Sequence, residues 1–254
     1  MTSEIDETHD VRVEPDDRKR RSRGVRIFIR DILLIFVAAL LISFLIKTFL
    51  FRSFYIPSGS MENTLQINDR IIVNQLEPKL VPVSRGDVIV FKDPGGWLDA
   101  APGTVTTPAN PFVGAVDGVL GFIGLSAPDS NDHLIKRVIG LPGDHVTCCN
   151  DFGQLTVNGV PLSEPYLKLP AGVKKATQSN FDITVPANSL WVMGDNRYQS
   201  ADSAYHKAKG DGEEFVPYSD VVGRAVLISW PAARWTWLDD YPTVFKAVPT
   251  EAAK

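Results

Sequence analysis

From Ile32 to Phe51 the chain reads ILLIFVAALLISFLIKTFLF, about 20 residues whose only charge is Lys47, and a helix of that length and composition can cross a bilayer. Lys47 lies near one end, where its long stem can return the ammonium to the interface. Upstream, Arg18, Lys19, Arg20, Arg21, Arg23, Arg26 and Arg30 form a basic cluster with no acid until Asp31, whereas the other flank offers only Arg52. The positive-inside rule then keeps the N-terminus in the cytoplasm and carries everything after the span across the membrane. A cleaved secretory signal is the competing reading, but its apolar core would be shorter and would end in small residues, not in Lys47-Thr48-Phe49-Leu50-Phe51. A buried core helix would have no reason to carry a basic flank on one side only.

The predicted organisation is a disordered cytoplasmic tail over 1–26, acidic then basic, and a transmembrane helix with flanks over 27–52. An extracytoplasmic domain follows over 53–238, with a C-terminal tail over 239–254. The net charge is −4 over 254 residues, so no basic excess remains for nucleic acid once the membrane-flanking cluster is set aside. Four scattered histidines and two cysteines form neither H-E-x-x-H nor a C-x-x-C pair, and no metal or cofactor is expected. Adjacent Cys148 and Cys149 are read as two small apolar residues in a strand, because consecutive strand residues face opposite ways. A vicinal disulfide is the alternative in an oxidising compartment.

After the span, short β-branched runs recur between turn signals, over 70–73, 87–91, 133–139, 145–147, 155–157, 181–185, 190–193 and 221–230. Asn158-Gly159 is a hairpin turn, and Pro142-Gly143-Asp144 and Arg85-Gly86-Asp87 mark others. The predicted fold class is mainly β: one N-terminal transmembrane helix, then a mixed or antiparallel β domain with a smaller inserted β lobe near 145–190. No strong helix is expected after Phe51. The segments 93–132 and 199–217 are read as long loops. Trp230, Trp235, Trp237 and Tyr241 are read as packing of a terminal strand, with contact to lipid headgroups as the alternative.

Pro57-Ser58-Gly59-Ser60-Met61 begins within ten residues of the span. A serine there needs a base, and no histidine stands in a familiar setting for that task. Lys136, in His133-Leu134-Ile135-Lys136-Arg137-Val138-Ile139-Gly140, sits among apolar strand residues that can desolvate it. An exposed lysine of pKa about 10.4 is neutral in about one molecule in 2,500 at pH 7, whereas a shift to about 8 makes that roughly one in ten.

Taken in order, Pro57-Ser58-Gly59-Ser60-Met61 with Thr64-Leu65, Asp69-Arg70 before Ile71-Ile72-Val73, Arg85-Gly86-Asp87-Val88, Lys136-Arg137 through Gly143-Asp144, and Gly194-Asp195-Asn196-Arg197 with Ser200 and Asp202-Ser203 closely resemble bacterial type I signal peptidase. The resemblance covers roughly 54–230. It implies a membrane-anchored Ser/Lys endopeptidase that removes signal peptides from exported preproteins through an acyl-enzyme, close to the secretion translocon and in contact with membrane lipid. By the resemblance Ser60 is the nucleophile and Lys136 the general base. The Ser60 backbone N–H and the Ser58 hydroxyl form the oxyanion hole, Ser200 orients the lysine, and Asp202 supports it. Arg137 and Asp195 form a charged pair that braces the site. Phe54, Ile56 and Ile135, with Pro57 and Met61, fall where substrate pockets favouring small residues are lined. The sequence departs from the pattern at Tyr198 and Gln199, where a polar pair is common, and at Ala204, where an arginine often follows. Two other readings are a self-cleaving Ser/Lys protein of the repressor type and a silent membrane-anchored module that binds extended peptides. A DNA-binding helix pair is missing for the first, and the joint presence of Ser58, Ser60, Lys136 and Ser200 argues against the second.

Overall fold

The computed structural model describes residues 17–98 and 132–249. They fall into two compact units divided between Leu45 and Ile46.

The described part of the first unit is helix α1 (Asp17–Phe49) up to Leu45, and the last residues of the helix belong to the second unit. Residues 17–26, expected as part of a disordered tail, are helical: Asp17 through Arg23 is a run of good helix formers and polar residues with no proline. The stretch Arg26–Ile46 has the length and composition to cross a membrane, and each of its side chains is exposed. That exposure, among the described residues, does not fit the reading as a buried core helix.

Among the described residues the second unit has twelve strands: β1 (Phe51–Tyr55), β2 (Arg70–Asn74), β3 (Val88–Lys92), β4 (His133–Gly140), β5 (His145–Cys148), β6 (Leu155–Val157), β7 (Val160–Pro161), β8 (Phe181–Thr184), β9 (Ser189–Met193), β10 (Val216–Pro217), β11 (Val221–Trp230) and β12 (Thr236–Trp237). The larger sheet runs β1-β2-β11-β3-β4-β9-β10, with β12 paired to β11, and the four-stranded sheet runs β7-β6-β5-β8. Every strand pairing is antiparallel. The fold is mainly β, as expected, and the smaller sheet is the inserted lobe, since the chain leaves the larger sheet after β4 and returns at β9. Gly140 stands at the exit: a Cβ there would come within 2.8 Å of Val146 Cγ2 and 3.2 Å of Trp191 Cβ. Asp144 closes the following turn, accepting from Leu141 N–H at 2.7 Å and from Arg85 Nη2 at 2.6 Å.

Several expectations are corrected. The 199–217 loop contains helix α2 (Ser203–Lys209), capped by the Asp202 carboxylate at its start and closed by left-handed Gly210 at its end. The 239–254 tail is not a tail over its described part. It forms helix α3 (Pro242–Phe245), buries Phe245 and Val248, and Arg85 Nη2 donates to Pro249 O. Cys148 and Cys149 are joined in a disulfide, so the unpaired reading gives way to its alternative. Trp230, Trp235 and Trp237 are exposed, at the end of β11 and in or beside the two-residue β12 that pairs with it. Of that aromatic group Tyr241 packs inward, its ring against Tyr166. The 93–132 insertion lies outside the described residues over 99–131.

Candidate active site

Sequence and sheet register bring Ser60 and Lys136 together from 76 residues apart. β1 is held to β2 with Phe54 opposite Ile71, and the chain then leaves the sheet at Ile56, whose N–H donates to Asp69 O. Pro57 and Ser58 stay exposed, while Met61 and Leu65 are fully buried and pull the turn between them onto the core. Ser60 is thereby carried to the end of Lys136, which β4 holds opposite Ile89 of β3. Lys136 Nζ lies 2.8 Å from Ser60 Oγ, and Ser58 Oγ lies 3.5 Å from Ser60 Oγ.

Lys136 is 3% exposed, and burial pushes its ammonium down to about 8. The negative charges of Asp202 and Asp195 oppose that shift without cancelling it. Asp202 is itself buried, which drives its carboxyl up; a bond from Gly194 N–H at 2.9 Å and the charge of Lys136 hold it partly down. The same carboxylate caps α2, accepting from Ala204 and Tyr205 N–H. Asp202 thus has Lys136 as a cationic neighbour although Ala204 occupies the position after Ser203.

Arg137, the next residue on β4, points away from Lys136 and is fully buried. Its Nε donates to Asp195 Oδ1 at 2.9 Å and its Nη2 to Asp195 Oδ2 at 2.8 Å, a two-point pair. Its Nη1 donates to the carbonyls of Gly86 at 2.7 Å and Asp239 at 3.1 Å. The Tyr166 and Tyr241 rings lie 4.1 and 5.2 Å from the guanidinium, and Thr64 Oγ1 donates to Asp195 at 2.5 Å. A buried cation is tolerable only with such complete pairing. Arg197, also buried, pairs with Glu164.

The remaining expected residues are placed as follows. Phe54, Ile56, Met61 and Ile135 share one apolar cluster with Ile71 and Val88, and Ile135, at 8%, is the most exposed of the four. Ser200 is not hydrogen-bonded to Lys136: its buried Oγ lies near the Asp202 carboxylate without the geometry of a bond. Its position is set by Gly194, where a Cβ would come within 2.3 Å of Ser200 Oγ and 2.6 Å of Ser60 O. Tyr166 and Asp239 escaped the sequence reading and Thr64 stood in a quoted motif without a role, since a threonine, a tyrosine and a backbone carbonyl carry no signal until Arg137 is known to be buried among them.

A catalytic serine whose proton is taken by an unprotonated lysine is chemically feasible with this arrangement. The family described as signal peptidase, peptidase S26, matches residues 29–230 of the chain. A probable signal peptidase I of Mycobacterium leprae (strain TN) is 36% identical, covering 92% of this chain and 86% of the relative. The signal peptidase I of Mycobacterium tuberculosis (strain CDC 1551 / Oshkosh) is 38% identical over 91% of this chain and 82% of its own. A crystal structure of a signal peptidase I from Enterococcus faecalis V583 aligns to 56% of this chain and 95% of its own, at 27% identity and a TM-score of 0.35.

Proposed function

The chain belongs to the signal peptidase family, peptidase S26, and on that premise we propose that it cleaves signal peptides from exported preproteins with Ser60 as nucleophile and Lys136 as base. The observation that carries the reading is the 2.8 Å contact between a buried Lys136 Nζ and Ser60 Oγ. Neutral Lys136 takes the hydroxyl proton as Oγ attacks the scissile carbonyl carbon. The resulting oxyanion is met by the Ser60 N–H and the Ser58 hydroxyl. Collapse breaks the C–N bond, the lysine returns its proton to the leaving amine, and an ester on Ser60 remains. A water, deprotonated by the same lysine, then hydrolyses the ester.

Asp202 keeps the protonated lysine bearable in mid-reaction, Ser200 packs against this carboxylate, and the Arg137–Asp195 pair holds β4 against the 194–197 turn. The substrate adds as a strand along β1, which is the edge of the larger sheet and leads through Ile56 and Pro57 to Ser58. Phe54, Ile56, Pro57, Met61 and Ile135 bound its small residues before the cleavage point. The exposed stretch Arg26–Ile46 is the membrane anchor, with the N-terminus cytoplasmic and the peptidase domain outside, near the translocon. The exposed Trp230, Trp235 and Trp237 support contact between this domain and interfacial lipid.

Incubation of the purified protein with a preprotein, followed by mass determination of the new N-terminus, tests the reaction. Ser60→Ala and Lys136→Ala should each abolish cleavage while thermal unfolding stays cooperative; substantial activity in either variant would defeat the assignment.

A further inference from the structure

Asn196 is 3% exposed and reaches the nucleophile's turn at two consecutive carbonyls. Its backbone N–H donates to Ser60 O at 3.0 Å, and its side-chain Nδ2 donates to Gly59 O at 3.0 Å. Gly59 C=O and Ser60 N–H belong to one peptide unit, which is planar and trans, so fixing the direction of the carbonyl fixes the opposite direction of the N–H. That N–H is the backbone donor assigned to the oxyanion hole. We propose that Asn196 is a positioning residue that aims and polarises the Ser60 N–H by gripping the far end of its own peptide bond.

The local turn cannot do this alone. Glu62 N–H also donates to Gly59 O, at 3.1 Å, but it belongs to the same turn and moves with it. Asn196 is anchored elsewhere: it is bridged to Lys168 beside it, and Lys168 N–H donates to Asp195 O at 2.8 Å. The grip therefore ties the oxyanion donor to the frame built on Arg137 and Asp195. A carbonyl that accepts a second hydrogen bond makes its peptide N–H a stronger donor, which matters most when negative charge develops in front of it. The choice of an amide is also electrostatic. Glu62 lies beside it, its Oε2 3.4 Å from Nδ2 and paired with Lys168, so a carboxylate in place of Asn196 would lose the donor and add a second negative charge near the oxyanion.

The inference rests on the Ser60/Lys136 reading, and the test separates the two. We expect Asn196→Ala to lower kcat about 10- to 100-fold, short of deleting an oxyanion donor, with KM within about twofold of the parent. Affinity for a substrate-sequence peptide aldehyde, which adds to the serine hydroxyl, should fall by the same factor as kcat/KM. The pH midpoint of kcat/KM should not move, because Lys136 is untouched. The isosteric Asn196→Asp should fold and be slower still. An unchanged kcat, an aldehyde affinity that holds while kcat falls, or a displaced pH midpoint would each overturn the inference. Activity surviving in Ser60→Ala would instead remove the reading beneath it.

Discussion

At the scale of single residues, the account turns on the protonation of Lys136. With its pKa at about 8, kcat/KM for preprotein cleavage should rise with pH and level off above that value, because only the neutral amine can accept the serine proton. Asp202 is the larger of the two charges that raise it. We expect Asp202→Asn, which keeps a capping oxygen but removes the charge, to move the pH–rate midpoint below that of the parent; a midpoint that stays or rises would refute the coupling. The same burial has a cost to stability. Below pH 8 the folded state must hold a buried ammonium, a penalty of about 3 kcal/mol that fades between pH 8 and 10.5 as the unfolded lysine also loses its proton. Lys136→Met should therefore be inactive yet more stable than the parent at pH 7 by urea titration, with the gain vanishing toward pH 10.5. Ser60 and Lys136 were singled out by the resemblance that their motifs carry in order, to which the Pro-Ser-Gly-Ser sequence and an apolar-flanked lysine lend a chemical reason, and the fold sets the two side chains 2.8 Å apart. Asn196 stood inside the same quoted motif without a role, since its value lies in which carbonyls it meets. Those contacts exist only after β9 has returned the chain to β4.

At the scale of elements, strands with alternating β-branched residues were readable and the brief ones were not. The two-residue β7, β10 and β12 have no period to detect, and β1, Phe51-Arg52-Ser53-Phe54-Tyr55, shows no apolar-polar alternation and begins at the last residue of the apolar run, just after the helix has stopped at Phe49. Helix α2 was missed for a related reason: its seven residues give barely two turns, and its start is set by Asp202, which also bonds Gly194 N–H. Asp202→Ala should cost about 1–3 kcal/mol through the lost cap and the orphaned N–H, measured by thermal or urea unfolding. A change below about 0.5 kcal/mol would show that the cap carries little. Around β11 and β12, the exposed tryptophans make a separate demand. In vesicles containing brominated lipid, emission of Trp230, Trp235 and Trp237 should be quenched, and replacing all three with serine should remove that quenching; unquenched emission in the parent would place this face in water.

At the scale of the whole molecule, the peptidase domain is closed by its own C-terminal segment. Asp239 O accepts from Arg137, Tyr241 faces that guanidinium, and Phe245 and Val248 enter the core shared by the two sheets. Removing 239–254 should leave a buried arginine short of a partner and destabilise the domain by roughly 3–5 kcal/mol, read as a fall in the urea midpoint. The sequence reading left 239–254 as a tail, and the buried guanidinium, which meets Asp239 O and the Tyr241 ring, explains why those residues fold back. The central claim is that Lys136 is uncharged at a working pH while in contact with Ser60. It is tested most directly by titrating the Lys136 side chain itself, with lysine labelled at Cε and Lys136→Met used to assign its resonance. We expect a transition near pH 8 in the parent protein; a transition near pH 10.5, as for a solvated lysine, would contradict the account.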